Sequence, residues 1–204
     1  METHTDTPQE SVYCAWPLNH PLEQDYHDNE WGKPQHDDTT LFEFLTLEGA
    51  QAGLNWLTIL KKRSGYRTAF MNYDIARLAQ KTEEDVDAFI GPYDIVKNRR
   101  KIASVFSNAR AAIALQDEFG SLDKALWQFV QYQPVVNHWT SREQVPAWTD
   151  TSKAMSQFLK KRGFKFVGET ICYAFMQATG MVNDHLEGCP YKHNHETKPD
   201  ETTS

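Results

Sequence analysis

The chain has 204 residues, 40% of them hydrophobic and 24% charged, with a net charge of −7. That is enough apolar material for one compact unit or two small lobes, and it excludes a disordered polyelectrolyte. No apolar run approaches a membrane span of about 20 residues, the start has neither the basic nor the apolar stretch of a secretory leader, and three cysteines make no disulfide framework.

In chain order, residues 1–11 are polar and poor in apolar side chains, as are residues 192–204, so both are expected to be disordered tails. Residues 12–191 are expected to form a single helical domain. Thr40-Leu41-Phe42-Glu43 has the form of a capping box and opens an apolar run to about Leu60. Within it, Glu48 is the only ionisable side chain between Phe44 and Trp56. On a helix Glu48 shares a face with Phe44, Leu45, Gln51 and Ala52. A carboxylate on an apolar face is costly to bury. It is therefore either the partner of an arginine or a backbone group, or a group kept for chemistry.

Helical patterns follow at roughly 74–80, 83–90, 99–117, 122–130, 152–162 and 168–179. Asp74, Thr82 and Thr151 or Ser152 are expected starts, and Gly120, Gly163 and Gly180 expected stops. Pro134-Val135-Val136 is too short to count as a strand, so the expected fold is all-α. Lys61-Lys62-Arg63, Lys97-Asn98-Arg99-Arg100-Lys101 and Lys160-Lys161-Arg162 with Lys165 form three basic clusters, which suggest a local positive surface in an acidic chain.

Phe158 to Ile171 reads as two helices joined by a turn holding Gly163 and Gly168, the form of a helix–hairpin–helix. Such a turn points backbone N–H groups and a helix start at a phosphate without reading sequence. A plain helical hairpin with a glycine cap is the alternative. Lys160, Lys161 and Lys165 favour DNA.

Cys14 and His27 lie near one end with twelve residues between them, and His185 and Cys189 near the other with three between them. Four such ligands would close a tetrahedral structural zinc site. Unrelated thiols and histidines are the alternative, since eight histidines make chance pairing easy. His193 and His195 are read as such chance. Cys172, among Ile171, Tyr173 and Phe175, reads as a small core residue.

Taken together, Tyr26-His27-Asp28-Asn29-Glu30-Trp31-Gly32, Leu47-Glu48-Gly49, Gln51-Ala52-Gly53-Leu54, Trp56, Lys160 to Gly168, Thr170-Ile171-Cys172-Tyr173 and Val182-Asn183-Asp184-His185 resemble the 3-methyladenine DNA glycosylase I family over about residues 12–191. The resemblance implies a helix–hairpin–helix glycosylase fold with a zinc site joining the two ends of the domain. It implies monofunctional excision of 3-methyladenine from double-stranded DNA containing alkylated bases. By the same resemblance Glu48 is the catalytic or base-recognising carboxylate, and Trp16, Tyr26 and Trp56 form the aromatic pocket. Cys14, His27, His185 and Cys189 hold one structural Zn2+ per chain, and Lys160, Lys161, Gly163, Lys165 and Gly168 meet DNA. One departure is Glu23, where some members carry a second pocket tyrosine.

The chemistry suits these residues. A base inside a duplex must be flipped out to be cut, and aromatic faces attract the cationic 3-methyladenine. Glu48 would accept from the exocyclic amine and repel guanine derivatives, which present an oxygen there. Trp31, Trp127, Trp139 and Trp148 are expected to be packing residues. Asp184 is expected to orient the ligand His185 rather than to catalyse. The absence of lysine between Lys165 and Lys192 argues against a strand-cleaving lyase. Two rival readings are a zinc-stabilised DNA-binding module without catalysis and a zinc hydrolase, the second of which needs an open metal position. A monomer in the cytoplasm with no membrane partner is the expected state.

Overall fold

In a computed structural model, residues 14–193 are described. The expected tails fall outside them, as does His195, except that Lys192 and His193 are described. Lys192 is buried, and its Nζ donates to the carbonyls of Asn137 and His185.

Nine α-helices are found among the described residues: α1 Pro21–Asn29, α2 Asp38–Gln51, α3 Trp56–Ala69, α4 Ile75–Ala79, α5 Val86–Ile90, α6 Arg99–Phe119, α7 Leu122–Trp127, α8 Asp150–Lys161 and α9 Glu169–Ala178. The one sheet among them is a parallel pair, β1 Val135–Val136 with β2 Val182–Asn183. The fold is thus helical as expected, and the valines set aside as too short do pair, stitching the 131–149 loop to the C-terminal segment.

The centre is α2. Every residue from Leu41 to Ala50 is buried, the signature of a helix enclosed on all sides rather than an amphipathic one. α9, α3, α6 and α7 pack around it. Two details differ from the sequence reading. The cap of α2 is Asp37, whose Oδ1 accepts from Thr40 N at 2.8 Å, so Thr40 is inside the first turn. Glu43, expected to complete a capping box, instead takes Arg63 Nε at 2.7 Å and Arg67 Nη2 at 3.0 Å. A charged fork outcompetes a backbone N–H for that carboxylate.

The apolar run is also not one helix. α2 ends at Gln51, Gly53 turns the chain at φ +77°, and Asn55 caps α3 by accepting from Thr58 N at 2.9 Å. Lys101 stabilises this break from the interior: its Nζ donates to Ala50 O at 2.8 Å and Ala52 O at 2.6 Å, a cation on the carbonyl end of the helix. Lys101 is therefore not part of a positive surface. Arg63, Arg99 and Arg162 are likewise committed to Glu30 and Glu43, Asp87, and Glu118, so each basic cluster has one arginine in an ion pair.

The other starts and stops follow their local chemistry. Asp74 and Thr82 cap as expected, and Gly120, Gly163 and Gly180 all adopt the left-handed backbone. α8 begins two residues early, at Asp150, on a reciprocal cap between Thr149 and Ser152. Helix α1, absent from the sequence reading, starts on Pro21 with His20 accepting from Leu22 N.

Candidate functional site

Helices α1, α2, α3 and α9 surround a cavity of about 540 Å³. Trp16, Tyr26, Trp31 and Trp56 supply its aromatic lining, with Glu48, Gln51, Asn55, Gln177 and Asp184 as polar members and Glu23 and Arg142 as further charged ones. Tyr26 and Trp56 stand with ring centroids 5.1 Å apart, and Trp16 lies 6.3 Å from Tyr26 and 5.4 Å from Trp31. The three expected pocket aromatics are thus brought together around Glu48. Trp31, expected to be packing, joins them.

Glu48 is only 4% exposed. Burial pushes its carboxyl up to about 8, with no ion pair or hydrogen bond among the described residues to hold the charge. The position follows from α2 being central: a residue in its third turn has nowhere to go but the interior or this cavity. Burial, then the Glu48 and Glu30 charges, also push the Tyr26 hydroxyl up and keep it neutral. The Trp56 indole N–H is buried and has no acceptor among the described residues. An orphaned donor at a cavity wall is what an incoming acceptor would satisfy.

Arg63 fixes the mutual placement of the three helices. Its Nε binds Glu43 on α2 and its Nη1 binds Glu30, just past α1, at 2.7 Å each, while α3 carries the arginine itself.

Asp184 is saturated. Its Oδ1 accepts from Asn137 Nδ2 and Trp139 Nε1 at 2.7 Å each, and its Oδ2 from Tyr173 OH at 2.5 Å and Gln177 Nε2 at 2.7 Å. These four donors explain Trp139, expected only to pack. They also correct the role expected for Asp184: His185 is oriented by Asn183, whose Oδ1 lies 2.9 Å from its Nδ1. Trp127 is fully buried as expected, whereas Trp148 is 40% exposed with Lys153 over its ring.

Behind the aromatic wall, Cys14, His27 and Cys189 place their ligand atoms within 4.8 Å of one another. His27 Nε2 is 3.8 Å from Cys189 Sγ, and its Nδ1 is 2.8 Å from Asp28 Oδ1. A carboxylate on Nδ1 fixes the tautomer that leaves Nε2 its lone pair, as metal-binding histidines require. The Cys189 thiol is drawn down, first by the hydrogen bond from the Cys14 thiol. His185 is not one of that tight group; its ring centroid stands 4.8 Å from that of His27, with Asn183 fixing its Nδ1 in the same way. The donor set fits a thiolate–imidazole metal site. Cys172 is fully buried, as expected of a core residue.

The hairpin lies between α8 and α9. Gly163 has φ +90° and Gly168 is the start of α9 without any side-chain cap; neither has anything within 4 Å of where a Cβ would sit. Phe164 and Val167 are buried beneath the turn. Asn108 of α6 grips it on both sides, accepting from Lys165 N at 2.8 Å and donating to Lys165 O at 3.0 Å. Lys160, Lys161 and Lys165 are exposed and form no ion pair among the described residues. Gln51, Asn55, Gln177, Trp31 and Arg142 are among the lining residues that sequence reasoning missed as site members. Gln51 alone had a signal, its spacing three residues from Glu48.

Residues 16–193 match the methyladenine glycosylase family. DNA-3-methyladenine glycosylase 1 of Escherichia coli is 47% identical over 176 residues, covering 86% of this chain and 94% of its own. DNA-3-methyladenine glycosylase of Haemophilus influenzae is 45% identical, covering 88% and 97%. A structure of 3-methyladenine DNA glycosylase I from Staphylococcus aureus, solved for the basis of 3-methyladenine recognition, superposes with a TM-score of 0.87 at 34% identity, covering 91% of this chain and 99% of that one. On this match of sequence and fold, the chain belongs to the methyladenine glycosylase family.

Proposed function

We propose that this chain serves DNA base-excision repair by hydrolysing the N-glycosidic bond of 3-methyladenine in alkylated double-stranded DNA. The observation that carries the reading is Glu48: a buried carboxylate with no hydrogen bond or ion pair among the described residues, set in an aromatic-walled cavity. A neutral ligand would leave that carboxylate uncompensated. A cationic purine supplies a ring for Trp56 and Tyr26 to stack on and an exocyclic amine for Glu48 to accept from. A purine with an oxygen at that position would set acceptor against acceptor.

The leaving group already carries positive charge. As the bond from C1′ to the base nitrogen breaks, its electron pair goes to the base and neutralises it. Water adds to C1′ and loses a proton. The protein's share is to extract the base from the stack, hold it away from bulk water and keep a negative charge near the sugar as it turns cationic. No lysine lines the cavity among the described residues, which fits hydrolysis without a Schiff base and without strand cleavage.

DNA is held at the hairpin. The N–H groups at Gly163, Phe164 and Lys165 are spent on Lys160 O, Leu159 O and Asn108 Oδ1, so it is the start of α9 at Gly168, which has no side-chain cap, that suits a phosphate, with Lys160, Lys161 and Lys165 beside it. Leu54 is 41% exposed on the tight turn between α2 and α3, next to the lining residues Asn55 and Trp56. An apolar side chain there suits the wedge that fills the space left by a flipped base.

Cys14, His27, His185 and Cys189 would hold one zinc ion, which ties the two ends of the domain together and supplies folding energy rather than chemistry. The same reading expects a monomer in the cytoplasm, where reduced thiols remain available as ligands. The test is chromatography of a methylated duplex after incubation with the protein. Release of 3-methyladenine with an intact abasic strand is expected; strand scission, or release of no base, contradicts the proposal.

A further inference from the structure

Resting on that reading, we propose that Arg142 is the clamp for a backbone phosphate at the flipped nucleotide. Among the described residues lining the cavity, Arg142 alone is a cation, against the carboxylates of Glu23 and Asp184. A nucleotide cannot enter with its base alone; its phosphates are drawn to the rim, and there they meet this surplus of negative charge. The hairpin cannot relieve it, because its turn serves a phosphate at the far end of α9, away from Ala174 and Gln177, which line the cavity. An arginine at the rim offers two parallel donors to a phosphate.

Arg142 is placed for this. It is exposed and forms no ion pair among the described residues, unlike Arg63, Arg99 and Arg162. Its backbone is held firmly. Gln144 Oε1 accepts from Thr140 N at 2.7 Å and Ser141 N at 3.2 Å, closing the short turn that carries Arg142. That turn is docked on the C-terminal segment: Trp139 O accepts from Glu187 N at 2.7 Å, and the Trp139 indole donates to Asp184 at 2.7 Å. A flexible side chain on a fixed turn at the mouth of the cavity can reach a phosphate without reordering the backbone.

The experiment compares wild type, Arg142→Ala and Arg142→Lys in two assays. One is binding to an abasic-site duplex over a salt series; the other is binding of free 3-methyladenine, read by tryptophan fluorescence. Arg142→Ala is expected to weaken duplex binding about tenfold and to lower the slope of log affinity against log salt by about 0.9, one phosphate contact. Arg142→Lys is expected to restore most of the slope, and free-base affinity to stay the same in all three proteins. An unchanged slope in Arg142→Ala overturns the proposal, as does a loss of free-base affinity, which would put Arg142 on the base. The duplex assay does not require excision, so a wild type that releases no base would count against the proposed activity and leave the clamp to be judged on its slope.

Discussion

Gly49 faces Phe166 so closely that a Cβ at position 49 would stand 3.2 Å from Phe166 Cβ and 3.3 Å from its carbonyl oxygen. This contact joins the helix that carries Glu48 to the hairpin proposed to hold DNA. Phe166 keeps its own left-handed backbone, φ +56°, at that point. The distance between DNA anchor and cavity is therefore set where only glycine fits without displacement.

Gly49→Ala is expected to move α2 and the hairpin apart by a few tenths of an ångström. Excision should fall about tenfold, since misplacement of about 1 Å can cost 10²-fold. Thermal stability should change little, because alanine's helix propensity, worth about 0.5–1 kcal/mol, offsets the crowding. Single-turnover excision beside a melting curve checks both; full activity would show that this spacing is not critical.

The Glu48 carboxyl titrates at about 8 in the folded protein against 4.5 ordinarily. Between those values the folded state holds a proton that the unfolded state has lost. Its favourable contribution is complete below pH 4.5 and is lost as pH rises to about 8. Wild type should therefore lose stability relative to Glu48→Gln across that window, by up to about 1.4 kcal/mol per pH unit. Denaturant melts of both proteins from pH 5 to 9 measure this; parallel curves would mean that Glu48 is not desolvated.

Asp184→Asn is expected to destabilise by about 3 kcal/mol, because an amide nitrogen would be forced against donors that now reach a carboxylate. Excision by the fraction that remains folded should fall only a fewfold. A collapse of excision without loss of stability would make Asp184 catalytic instead of structural.

Much of this was legible in the sequence, and the reasons for the rest are local. Glu48 stood out because a lone charge in an apolar helix has few explanations, and the three pocket aromatics came from the family resemblance. Glycine stops at 120, 163 and 180 were read correctly because a left-handed residue there has little alternative. The break after Gln51 was missed because its stabiliser, Lys101, is about 50 residues away and looked like one more surface cation. Trp139 and the role proposed for Arg142 gave no signal at all: both depend on the loop that the β1–β2 pairing lays against the C-terminal segment, where Trp139 meets Asp184.

Cys189→Ser is expected to lower the metal content below one zinc per chain and to reduce the melting temperature more than the specific activity of folded protein. Chelation of the wild type should reproduce the loss. A variant that melts normally with its zinc retained would remove Cys189 from the ligand set.

The most direct measurement is single-turnover release of 3-methyladenine from methylated duplex DNA by wild type and Glu48→Gln, with folding and duplex binding checked in parallel. The account predicts release by the wild type and a loss of about 10²-fold or more in the variant, the scale of removing one electrostatic contact to the reacting centre, with duplex binding kept. Equal release by the two proteins would contradict it.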